Sequence, residues 1–80
     1  MSAEEFEKKL VDSLEFIILR SHEALSFRKP YSGLFMHKLT IDISFLLSSV
    51  LDWEDEKIKE FFKGMNEKMG VDYSRAELKE

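Results

Sequence analysis

Residues 33–51 read GLFMHKLTIDISFLLSSVL, and how this stretch is read decides the fold. No Gly or Pro interrupts it after Gly33, and Asp52 closes it. Read as a helix at roughly 100° per residue, it carries two apolar faces. The broad one holds Phe35, Met36, Leu39, Ile43, Leu46, Leu47 and Val50; the narrow one, nearly opposite, holds Leu34, Ile41 and Phe45. His37, Ser44 and Ser48 separate them on one side, and Lys38, Asp42 and Ser49 on the other. A helix apolar on two sides is normally buried on both. A chain of 80 residues has little else to bury it with, so a second molecule is the expected cover for one face. Within the stretch, Leu39 to Phe45 also alternates apolar and polar with β-branched residues, the pattern of a strand. The helix is preferred because no second strand is evident to pair with it, and Leu46 and Leu47 break the alternation.

Upstream, Ser2 with Glu5 makes a capping box, and Glu4 and Glu5 suit the positive end of a helix dipole. Phe6, Leu10, Leu14, Ile17, Ser21 and Ala24 follow at spacings of three or four, widened by Val11, Ile18 and Leu25. This gives a first helix over about 3–25. Phe16 and Leu19 lie off its stripe. Phe27 to Gly33 reads as a hairpin loop, with Pro30 stopping any continuation and Ser32 available as the next cap. The second helix then covers about 34–51. Downstream, Asp52 is placed to cap a third helix over about 53–69, whose stripe is Ile58, Phe61, Phe62, Met65 and Met69. Gly70 fits its left-handed end. Ser74 with Glu77 marks a short helical turn in the tail 71–80, which Val71 and Tyr73 could tie down. The expected fold is one all-α domain over 1–80: a small three-helix bundle of antiparallel hairpins with a short C-terminal turn, assembled into an oligomer.

Composition narrows the function classes. With no cysteine, disulfides, thiolate zinc sites and cysteine nucleophiles are excluded, and self-association is the remaining route to extra stability in so small a chain. No secretory leader pattern stands at the amino terminus. The 33–51 stretch approaches spanning length, but His37, Lys38 and Asp42 fall inside it, so no membrane partner is expected and a cytoplasmic protein is. The net charge of −4 weighs against general nucleic-acid binding. No glycine-rich phosphate loop, nucleophile elbow or metal-binding helix motif is present, so neither catalytic residues nor cofactors are assigned.

Two sets of residues stand out as candidate sites. Residues 20–38 carry a formal +3 between acidic flanks, and they coincide with the hairpin loop. Arg20, Arg28, Lys29, Tyr31 and Lys38 there could hold a nucleotide or other phosphate against a helix N-terminus. The plainer reading pairs Arg20 with a neighbouring acid and leaves Arg28 and Lys29 solvated. The second set, Phe16, Leu19, Leu34, Ile41 and Phe45, is the expected oligomer interface. His22 and His37 fall at the same end of an antiparallel hairpin, but two ligands at this spacing do not make a zinc site, and no metal is assigned. Asp42 is expected to pair with Lys38 at i−4 or to fix register across an interface. The functional expectation is a small non-enzymatic interaction or regulatory protein, of adaptor or inhibitor type. It would act as a helical homo-oligomer, a dimer first of all, that binds another macromolecule. The alternative is an anion- or nucleotide-binding protein using the basic loop.

Overall fold

The computed structural model describes residues 1–26 and 31–73. Three helices account for nearly all of them: α1, Ala3–Leu25; α2, Tyr31–Leu51; and α3, Asp55–Met69. Residues 39–45 are helical throughout, and no strand occurs among the described residues. The fold is therefore an all-α bundle in which each helix packs against the other two.

Local signals explain most of the boundaries. Ser2 Oγ accepts from the Glu5 backbone N–H at 3.1 Å, closing the first turn of α1. The Glu5 carboxylate meets the Ser2 hydroxyl at 3.4 Å rather than the Ser2 N–H of a full capping box. Two boundaries differ from the sequence expectation. Helix α2 starts at Tyr31, not Leu34, so Ser32 is a helical residue and not a cap. A strongly helical run propagates into adjacent residues at little cost, and Gly33 opposes this by only about 1 kcal/mol. Helix α3 starts at Asp55, with Glu54 as its N-cap and no side-chain cap bond. Asp52 does not cap it. It takes the left-handed conformation (φ 57°) just past the end of α2, while the Trp53 N–H reaches back to the Leu47 carbonyl at 3.1 Å. The residue thus terminates one helix instead of starting the next. Gly70 ends α3 as anticipated, with φ 74° and its N–H on the Asn66 carbonyl at 2.8 Å. The 27–30 part of the expected loop and the expected 75–79 turn lie outside the described residues.

Contacts at both ends set the topology. Trp53 Nε1 donates to Glu7 at 3.0 Å, and Lys68 meets Glu15 at 3.5 Å, so α1 and α3 run in parallel. Helix α2 runs against both, giving up-down-up. The core is small: Leu14 and Ile18 from α1, Met36, Ile43 and Leu47 from α2, Ile58 and Met65 from α3. No polar or charged residue is buried among those described.

Candidate interaction surface

The roll of α2 about its own axis determines what the bundle leaves uncovered. Helix α3 lies on the Thr40 and Ser44 side, where a groove of about 650 Å³ is lined also by Lys59, Lys63, Asn66 and Glu67. Thr40 and Ser44 tolerate this half-buried position because each hydroxyl donates to the carbonyl four residues back, at 2.9 and 2.8 Å. Burial on α2 therefore centres on Met36, Ile43 and Leu47. The broad apolar arc spans roughly 120° at 100° per residue, and this centre is its edge, not its middle. The other half of the arc turns out of the bundle on the α1 side: Phe35, Leu46 and Val50 are exposed, and Leu39 is half-buried.

Helix α1 presents the matching edge. Glu15 and His22 mark the side of α1 that meets α3 or the segment after it. On the opposite side, next to α2, Phe6 and Ile17 are exposed. Ser13 and Ala24 fall on the same helical row, seven residues beyond each. Phe6, Ile17, Phe35, Leu46 and Val50 thus flank one seam between antiparallel helices. Arg20 and Asp42 are its charged rim. A second, smaller cleft of about 380 Å³ opens on α2 between Leu34, Phe35, Lys38, Leu39 and Asp42.

The residues expected to form the oligomer interface do not make one patch. Leu34, Ile41 and Phe45 do form an outer ridge on α2, and Phe45 is 68% exposed. Phe16 is exposed on the outer face of α1, away from that ridge, with the Arg20 guanidinium 5.3 Å over its ring. Leu19 is half-buried against the core. Sequence periodicity alone does not single out the seam residues of α2, because they belong to the same broad arc as the buried Met36, Ile43 and Leu47. The available signal was the width of that arc, more than two neighbours cover while also burying Thr40 and Ser44.

Of the basic set, Arg20 pairs with Glu23 at 3.0 Å and Lys38 with Asp42 at 3.0 Å, both exposed. Arg28 and Lys29 lie outside the described residues, as does the Tyr31 side chain. His22 and His37 do come to the same end of the bundle, where both meet Tyr73. His22 Nδ1 is 2.6 Å from the Tyr73 hydroxyl, and His37 Nδ1 is 3.0 Å from the Tyr73 carbonyl. A carbonyl only accepts, so His37 carries its proton on Nδ1. The hydroxyl of Tyr73 can donate to His22 Nδ1, and burial raises the Tyr73 pKa above its ordinary value. This cluster ties the segment after α3 to the C-terminal end of α1 and the N-terminal end of α2. No group of three or more His, Asp or Glu side chains suited to a metal occurs among the described residues. Helix α2 from Gly33 to Leu51 is long and apolar enough, by length and composition, to cross a membrane. Comparison with protein-family models, with curated proteins and with solved structures gave no match.

Proposed function

We propose that this chain is a small non-enzymatic interaction protein, of adaptor or inhibitor type, that works as a helical homo-oligomer and acts by binding or occluding another macromolecule. The observation that carries the reading is the apolar seam of Phe6, Ile17, Phe35, Leu46 and Val50, exposed on a bundle whose core holds only seven buried side chains among the described residues. Contiguous apolar surface of this kind marks interaction sites on soluble proteins. A protein partner fits better than a nucleic acid, since the chain carries a net charge of −4. A cytoplasmic, soluble protein is part of the same reading, supported by His37, Lys38 and Asp42 within the apolar span of α2.

Sedimentation equilibrium from micromolar to near-millimolar concentration tests the proposal. The expected result is reversible growth from the 9.5 kDa chain mass to twice that value. A monomer at every concentration, with no partner captured from a host extract, would overturn it. Co-flotation of the protein with phospholipid vesicles would move the reading to a membrane surface.

A further inference from the structure

We propose, resting on the self-association above, that a second copy of this chain occupies the α1–α2 seam, with α1 of each copy lying on α2 of the other about a two-fold axis parallel to the helices. The size of the patch fits this occupant. Phe6, Ile17, Phe35, Leu46 and Val50 leave 37–52% of their area exposed. That amounts to on the order of 400 Å² of apolar surface, the scale of the largest patch on a typical monomer. Interfaces are about 60% apolar. The patch and its rim therefore correspond to roughly 700 Å² per partner, close to the ~800 Å² of a standard interface.

The orientation follows from the helix directions and the charges. Because α1 and α2 are antiparallel, seating α1 on the other copy's α2 makes every neighbouring pair of seam helices antiparallel. The helix dipoles then oppose one another, in the arrangement of a four-helix bundle. Along the bundle, Glu7 is level with Trp53, and His22 is level with His37 through Tyr73. Arg20 is accordingly level with about residue 40, within one helical turn of Asp42. The two-fold therefore brings Arg20 of one copy to Asp42 of the other, twice. Its aliphatic stem lies over the cleft bounded by Leu39 and Asp42. Arg20 now holds Glu23 and stacks over Phe16, and Asp42 holds Lys38; all are exposed contacts within one helix that exchange readily. Among the described residues, the seam carries no charge between its rims, so none of them requires an unpaired ion to be buried.

Sedimentation equilibrium on surface variants tests the proposal, with circular dichroism to verify helicity. Ile17→Glu and Leu46→Glu are expected to weaken the dimer by at least about 50-fold. Phe45→Glu, on the outer ridge, should change it by less than about threefold. Arg20→Asp and Asp42→Arg should each weaken it about fivefold, and the two together should restore most of the loss. These last residues are exposed, so their variants keep the fold. A dimer that survives both seam substitutions, or is lost with Phe45→Glu, would place the interface elsewhere and leave the self-association reading intact. A charge-swapped double variant no better than either single variant would overturn the orientation. A monomeric wild type would overturn both.

Discussion

At the scale of single residues, conformation decides what a substitution does. Two glycines make the point in opposite directions. Gly64 sits within α3, and a Cβ built there meets nothing within 4 Å. Its presence reflects tolerance, not close helix packing. Gly64→Ala is expected to raise stability by about 0.5–1 kcal/mol in urea unfolding, from helix propensity alone. Gly70 also has open space, but its φ of 74° is left-handed. Gly70→Ala should lower stability by about 1 kcal/mol in the same measurement. Tyr73 supplies a pH-dependent counterpart. Its pKa is raised in the folded protein from 10.0, so the unfolded chain loses this proton first as the solution becomes alkaline. The contribution is complete below about pH 10 and is lost as pH rises through the folded value. Tyr73→Phe should therefore cost about 1 kcal/mol near neutrality through the lost His22 contact. The gap between variant and wild type should narrow above pH 10, as followed by thermal unfolding across pH.

At the scale of elements, the ends of α1 and α3 were legible because each carries a specific chemical signal, Ser2 at one and Gly70 at the other. The junction between α2 and α3 was not, because Asp52 satisfies two sets of rules. A short carboxylate before three acids reads as a cap, but the same residue also tolerates left-handed angles, and terminating α2 is the role it takes. The periodicity of α2 showed two faces and 19 continuous residues, but no position on the wheel states where the bundle axis lies. That is set by the short 52–54 connection, which drops α3 onto the Thr40 and Ser44 side. The buried row is consequently Met36, Ile43 and Leu47, with Leu47 0% exposed. Leu47→Ala is expected to cost about 2–5 kcal/mol, enough to unfold much of so small a domain at 37 °C in a thermal melt. Leu46→Ala, one residue away and 37% exposed, should cost clearly less, about 1 kcal/mol in the isolated chain.

At the scale of the whole molecule, the bundle is asymmetric in its chemistry. The α1–α3 side is laced by Lys68 with Glu15, and the α2–α3 groove combines Ile58, Phe62 and Val71 with Lys59, Lys63, Asn66 and Glu67. Along the α1–α2 seam, Phe6, Ile17, Phe35, Leu46 and Val50 stand exposed. The expectation that α2 carries more apolar surface than one chain covers is met by its exposed Leu34, Phe35, Ile41, Phe45, Leu46 and Val50. The position of the seam was not legible. It depends on the rolls of α1 and α2 together, and Phe16 and Phe45 end up on separate outer faces. The most direct test of the central claim is methyl NMR of the concentrated protein in the presence of a soluble paramagnetic agent. The account predicts that the Ile17, Leu46 and Val50 methyls become protected as concentration rises, while those of Ile41 stay fully attenuated. Equal attenuation of both sets at every concentration would contradict it.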